Sequence, residues 1–323
     1  MSYNPSIRLT SGEHVEIVDR THLPFHRIGR LGMGASAQVE VVEEPTTRRR
    51  YAHKIFTPYY GHTLERFKKE VQNEIAIIKR LRGHPHIVNV EWSYACGREL
   101  GILLTPVASD GDLSAYLYEI RVPQDGGSNG NGGVSSATRE QRAVLVKAFG
   151  CLASGLAFMH GLKIRHKDIK PSNILVHNGH MVYTDFGIAK DLVGMNTMTS
   201  GKPGGFTDRY CPPEVAEWDP RNRKSDVFSL GCVFIEIMAV LFSDARELAE
   251  DRTPYRKRLQ DVQGTLIQCS VADFDLRQLF VVILGMVEEM SEDRVGATDL
   301  VDCLMDLKMP CAESLFCRQC GGT

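Results

Sequence analysis

The segment that most limits what this chain can become is His166-Lys167-Asp168-Ile169-Lys170-Pro171-Ser172-Asn173, followed at close range by Thr184-Asp185-Phe186-Gly187. One short run thus carries an acid, a lysine and a carboxamide, with a second acid soon after. Asp168 and Asn173 are too far apart to be neighbours on one extended strand. A loop that doubles back would aim both at one point. An Asp that can accept a proton, with an Asn and an Asp that can offer oxygens to a hard cation, is what transfer of a phosphoryl group from Mg-ATP requires. The bland alternative is a polar loop between two buried strands; two such motifs in this order weigh against it.

The pair of motifs resembles that of the protein kinases, whose catalytic loop reads H-x-D-x-K-x-x-N and is followed by D-F-G. The resemblance implies an α+β bilobal fold: a small antiparallel β-sheet N-lobe with one long helix, the family's αC, and a larger, mainly α-helical C-lobe. It implies ATP and Mg2+ as cofactors and proteins as substrates. Asp168 would accept the proton of the substrate hydroxyl, and Lys170 would neutralise charge on the γ-phosphate in transit. Asn173 and Asp185 would hold magnesium.

Upstream, Ile28 to Val42 is a Gly-containing turn running into a β-branched strand. Without side chains at Gly32 and Gly34, the backbone can bend sharply and bring N–H groups close to phosphates. The family pattern is G-x-G-x-x-G-x-V; here Ala37 takes the third glycine's place and Val39 is present. By resemblance Leu31, Gly32, Met33 and Gly34 cover the nucleotide. Next, Tyr51 to Phe56 alternates, with Tyr51, His53 and Ile55 on one face and Ala52 and Lys54 on the other. A lone strand lysine is normally solvated. The following segment, Leu64 to Leu81, changes that expectation, because Phe67, Val71, Ile78 and Leu81 mark one helical stripe and Glu74 falls on it. An unpaired buried charge costs about 3–5 kcal/mol, and Lys54 is the available partner. The resemblance makes the same pair, Lys54 with Glu74, the holder of the ATP α/β-phosphates.

Leu100 to Leu104 reads as another short apolar strand. By similarity, Thr105 lies at the gatekeeper position and Pro106 to Ala108 form the hinge between lobes. The Pro106 carbonyl and the Ala108 N–H would read adenine, sandwiched by Val39 and Ala52 from one side and Leu175 from the other. The expected organisation is a lead-in over 1–24 with room for an edge strand, an N-lobe over 25–107, a C-lobe over 108–308 and a Cys-containing tail over 309–323. Within the C-lobe, 122–136 is a flexible insertion rich in Gly, Ser and Asn. Thr138 to Met159 is a buried helix leading into the catalytic loop.

Past the D-F-G motif, Thr197, Thr199 and Ser200 occupy the activation-segment position. Thr207 to Glu214 resembles the stretch ending in A-P-E, and Thr207 is placed to hydrogen-bond near Asp168 and Lys170. Asp226 opens a strongly apolar helix and, in kinases, braces the catalytic-loop backbone. Arg294 matches the family's partner for Glu214. Lysine two residues after the catalytic Asp is the serine/threonine pattern. Three departures stand out: Lys167 for the arginine of H-R-D, which loses a two-pronged guanidinium; Ala37 in the glycine turn; and Phe206 with Pro212 at the peptide-docking shelf. The expectation is an ATP-dependent serine/threonine protein kinase whose activity depends weakly on activation-loop phosphate. The alternative is an ATP-binding pseudokinase acting as a scaffold, which commonly lacks one of Lys54, Glu74, Asp168, Asn173 and Asp185; all five are present. A small-molecule kinase would lack the Thr207–Glu214 and Asp226 arrangement.

Composition excludes little but does so cleanly. A net charge of −2 over 323 residues gives no basic footprint for nucleic acid or a membrane surface. No run approaches the ~18 apolar residues of a membrane span, and no export signal opens the chain. The nine cysteines are therefore expected as reduced thiols in an intracellular protein, cytoplasmic or nuclear. Cys317 and Cys320 form one C-x-x-C, whereas a zinc site needs about four ligands.

Overall fold

Short runs rich in β-branched and aromatic residues build one sheet in the first third of the chain. In the computed structural model, which describes residues 10–33, 37–58, 63–122, 137–191, 207–269, 277–307 and 314–321, the chain divides into two units, Met1–Ala108 and Ser109–Thr323. Gly34, Thr197, Thr199, Ser200, Phe206, Cys311 and the stretch 123–136 lie outside the described residues.

In the N-terminal unit, β1 (Glu13–Ile17), β2 (His26–Met33), β3 (Ala37–Glu43), β4 (Arg50–Phe56), β5 (Asn89–Cys96) and β6 (Glu99–Thr105) form a six-stranded sheet in the order β1-β5-β6-β4-β3-β2. The sheet is mixed: β1 runs parallel to β5, and the other pairs are antiparallel. An antiparallel sheet throughout was expected. The long stretch between β1 and β5 supplies the crossover that a parallel edge pair needs. Ile17, at the end of β1, and Leu23 and Phe25, between β1 and β2, pack with Val42, Tyr51, Trp92, Tyr94 and Leu103 in a buried cluster.

Helix α1 (Leu64–Arg80) starts where the Thr63 side chain accepts from the Arg66 N–H. It packs on β5 and β6 and buries Phe67, Val71, Glu74, Ile75, Ile77 and Ile78. Each fully buried aliphatic or aromatic side chain contributes about 1.5–3 kcal/mol.

The C-terminal unit is mainly helical. It contains α2 (Leu113–Arg121), α3 (Arg139–Gly161), α4 (Pro213–Ala216), α5 (Lys224–Leu241), α6 (Glu247–Glu250), α7 (Leu259–Cys269), α8 (Arg277–Met286) and α9 (Ala297–Asp306). Two small antiparallel ladders complete it: β8 (Ile174–His177) with β9 (His180–Tyr183), and β7 (Ile164–Arg165) with β10 (Lys190–Asp191). A capping box, Thr138 with Gln141, fixes the start of α3. This helix is long and apolar enough to cross a membrane, yet 67% of that window is buried inside the protein, as in the core helix of a globular unit. Helix α5 is buried continuously from Ser225 to Ala239 and is the axis on which the catalytic-loop segment is hung.

Candidate active site

The residues expected in the site fall into two sets, one in each unit. In the N-terminal unit, register places Gly32 opposite Val39, Val39 opposite Lys54, and Val41 opposite Ala52. Directly opposed residues of antiparallel strands share a face, so Gly32, Val39, Ala52 and Lys54 line one side of the sheet. Lys54 Nζ donates to Glu74 Oε1 at 2.8 Å, with side-chain exposures of 12% and 4%, and lies 5.0 Å from the Phe56 ring centre. The acid on the buried stripe of α1 therefore has its strand lysine. Leu31 is exposed on β2, and the β2 strand ends at Met33. Thr105 closes β6, and its hydroxyl donates to Glu91 Oε1 at 3.0 Å. Pro106 and Ala108 follow within the same unit.

In the C-terminal unit, the loop between β7 and β8 does double back. Pro171–Asn173 forms a single 3₁₀ turn. Asn173 donates its amide hydrogens to the Asp168 carbonyl and to Asp168 Oδ2, both at 2.9 Å. Lys170 Nζ donates to Asp168 Oδ2 and to Thr207 Oγ1, both at 2.7 Å. The Thr207 hydroxyl in turn donates to Asp168 Oδ1 at 3.0 Å. Acid, lysine, carboxamide and threonine thus form one closed web around a single carboxylate. Beside it opens a cavity of about 30 Å³ lined by Asp168, Thr207, Tyr210, Pro212 and Val215, among others.

Two buried groups hold this web in place. Asp226 accepts the His166 N–H on Oδ2 and the Lys167 N–H on Oδ1, both at 2.9 Å. Its burial favours the neutral acid, but the hydrogen bond and charge of His160, the Arg165 guanidinium and the Lys167 amide hold its pKa down to about 2. These contacts let Lys167 sit at φ 72°, a conformation that side-chain-bearing residues rarely adopt. His166, whose pKa burial lowers from the ordinary imidazole value, donates from Nε2 to the Thr184 carbonyl at 3.0 Å and accepts the Asp168 N–H on Nδ1 at 3.4 Å. Its ring centre lies 4.7 Å from that of Phe186. One histidine therefore ties the catalytic loop to the D-F-G segment.

The second anchor is Glu214, which meets Arg294 through paired bonds of 2.7 and 2.8 Å and accepts from Ser225 at 2.8 Å.

The donor set fits magnesium. With both Asn173 amide hydrogens directed at Asp168, its oxygen is the atom left to offer a cation. The Thr184 N–H bonds to the Asn173 carbonyl at 3.0 Å, which brings Asp185, exposed and at φ 61°, to the same end of the β8–β9 ladder. Two hard oxygens from two adjacent segments suit a small divalent ion. Leu175 follows on β8, bridged to Asp112.

Compared with known families, residues 25–303 match the protein kinase domain. The chain belongs to the protein kinase family. Among curated proteins, this kinase chain is 32% identical over 178 residues to the serine/threonine-protein kinase nekl-2 of Caenorhabditis elegans, covering 54% of the chain and 46% of that protein. It is 28% identical over 215 residues to the serine/threonine-protein kinase Sgk1 of Homo sapiens, covering 66% of the chain and 45% of that protein. The chain spans less than half the length of the curated relatives it matches. Sequence reasoning from the motifs did not find His160, which pairs with Asp226 across 66 residues, or Ser225. Neither carries a local signal, because each is defined by a partner distant in the chain.

Proposed function

We propose that this chain is an active serine/threonine protein kinase that transfers the γ-phosphoryl group of ATP to protein hydroxyls, with Asp168 as the base. One observation carries the reading: both oxygens of Asp168 are held at once by Lys170, Asn173 and Thr207. A carboxylate locked in this way is preorganised to orient a hydroxyl and take its proton, and positioning of that kind is most of what phosphoryl transfer asks of a protein. Lys170 stands next to the carboxylate, where its charge would meet the phosphoryl oxygens in transit. Thr207, bonded to both Lys170 and Asp168, belongs with the serine/threonine pattern. Lys54, set by Glu74, would hold the α/β-phosphates. Magnesium, held by Asn173 and Asp185, would supply the remaining positive charge.

The test is transfer of labelled γ-phosphate from Mg-ATP to the protein itself and to a generic basic substrate protein, beside Asp168→Ala. Loss of the base is expected to lower transfer by about 10²-fold or more, with label on serine and threonine. Mainly phosphotyrosine product would overturn the hydroxyl class. A well-folded protein that binds ATP and transfers nothing would replace the enzyme with an ATP-binding scaffold.

A further inference from the structure

Helix α3 carries Gly150-Cys151 on a buried face, and the segment 314–321 is laid against it. The Gly150 N–H donates to the Leu315 carbonyl at 3.0 Å. A Cβ at Gly150 would lie 2.4 Å from that carbonyl oxygen and 2.7 Å from the Phe316 ring, so the docked segment requires glycine there. Leu315 and Cys317 are buried. The segment then closes a tight turn, Cys317-Arg318-Gln319-Cys320-Gly321, in which the Cys317 carbonyl accepts the N–H of Cys320 at 3.3 Å and of Gly321 at 2.8 Å.

This turn delivers two thiols to a third. Cys317 Sγ lies 3.5 Å from Cys320 Sγ, and Cys320 Sγ lies 3.6 Å from Cys151 Sγ. All three sulfurs are within 4.8 Å of one another. These separations far exceed the roughly 2.05 Å of a disulfide. They approach the edge of a tetrahedron with zinc–sulfur bonds of ~2.3 Å, which is about 3.8 Å. The Cys317 N–H points at Cys151 Sγ at 3.4 Å, an amide-to-sulfur bond of the kind that supports a metal-bound thiolate.

We propose that Cys151, Cys317 and Cys320 form a structural zinc site that pins residues 314–321 onto α3. The C-x-x-C alone offers too few ligands; the helix supplies the third, Cys151, 166 residues before Cys317. A fourth position is left for an imidazole or a water oxygen. Each thiol that binds releases its proton to solvent and becomes a thiolate under the charge of the ion. Because α3 leads directly into β7 and the catalytic loop, the site would brace the base of that loop while taking no part in phosphoryl transfer.

The experiment is elemental analysis of the full chain purified under reducing conditions without chelator, followed by exchange into Co2+. About one zinc per chain is expected, with thiolate-to-cobalt charge-transfer absorption and tetrahedral d–d bands after exchange. Cys151→Ser and Cys317→Ser should lose both signals; Cys320→His should retain metal with altered bands. Cys303→Ser, an exposed thiol outside the cluster, should match wild type. A chelator should lower the melting temperature by about 5 °C or more. The wild-type spectrum does not depend on any variant folding. Wild type that holds no zinc and gives no thiolate–cobalt absorption overturns the proposal. So does an intact mass two hydrogens light from a disulfide within the trio after isolation under reducing conditions.

Discussion

Among the described residues, each unit of this kinase chain buries carboxylates against cations, and one pair from each, Lys54–Glu74 and Arg294–Glu214, is built differently from the other. In the N-terminal unit, Lys54 and Glu74 join β4 to α1 by a 2.8 Å bond, with side chains 12% and 4% exposed. In the C-terminal unit, Arg294 and Glu214 meet in a two-pronged bond, with side chains 0% and 9% exposed. Arg294 also donates to the Glu288 and Glu289 carbonyls at 2.6 and 2.7 Å and lies 4.9 Å from the Phe228 ring centre. Glu214 also accepts from Ser225. A lysine is a point charge on a flexible stem, whereas an arginine can satisfy several fixed acceptors at once. The first pair is thus suited to present a charge to a ligand, and the second to lock main chain.

The sharpest way to break that contrast is in the C-terminal unit. Arg294→Met should cost about 3–5 kcal/mol of stability, because it leaves a buried carboxylate uncompensated. The melting temperature should fall by about 10 °C or more. Adding Glu214→Leu should recover little, since two carbonyls and the Ser225 hydroxyl would still lack partners. Full recovery in the double variant would show that the pair works as an isolated ion pair after all.

The matching experiment in the N-terminal unit should give the opposite result. Lys54→Met should lower phosphoryl transfer by about 10²-fold, roughly 2.7 kcal/mol of barrier. It should also cost a smaller amount of stability, read from urea midpoints. Lys54→Met with Glu74→Leu should restore the midpoint, as apolar replacement of a buried pair often does, and leave transfer lost. A double variant as unstable as the single would place Lys54 among the locking residues instead.

The two pairs also differ in how readable they were from the sequence. Glu74 could be placed because helical periodicity puts it on an apolar stripe, and a buried acid needs a cation. No such local logic reaches Glu214 and Arg294, which are 80 residues apart; they were legible only through resemblance to a family. The alternation of β4 correctly separated Ala52 and Lys54 from Tyr51, His53 and Ile55. It could not show that Tyr51, Ala52, His53, Ile55 and Phe56 would all be buried, because a central strand covered on both faces has no wet side to mark. Residues 1–24 left room for the edge strand β1, but its parallel pairing was not legible, since register with β5 is set by residues far along the chain. Cys151 reads as an ordinary core thiol until the segment carrying Cys317 and Cys320 is folded against it.

Asp226 sharpens the comparison through pH. Its carboxylate is buried and its pKa is depressed from 3.8 to about 2. A depressed folded-state value means that its contribution is fully present above pH 3.8 and is lost as pH falls through the folded value. The size is about 2 kcal/mol. Asp226→Asn keeps the shape but lacks one acceptor and the charge, so it should be less stable than wild type at neutral pH. The gap between the two urea midpoints should close as pH drops from 3.8 towards 2. A gap that stays constant across that window would mean that shape alone, and not charge, holds the catalytic loop.

The smallest effect is expected where the C-terminal unit carries a lysine in place of the family's arginine. Lys167 is anchored through its backbone to Asp226. Burial lowers its pKa, and the nearby Arg165, Lys190 and Arg221 push the same way. A partly buried lysine already among cations is a poor clamp for a phosphate, and it lacks the fork that would hold one rigidly. What remains is an attraction of surface ion-pair size, about 0–1 kcal/mol. The variant Thr197→Ala/Thr199→Ala/Ser200→Ala should therefore lose less than about fivefold in transfer rate. A loss well beyond that would assign the clamp to Arg165 and Arg221, whose guanidiniums retain the fork. Arg221→Lys in the wild-type background would then reproduce the loss. If both variants leave the rate unchanged, the web around Asp168 is competent without a phosphate, and the backbone contacts of Asp226 suffice to hold the loop.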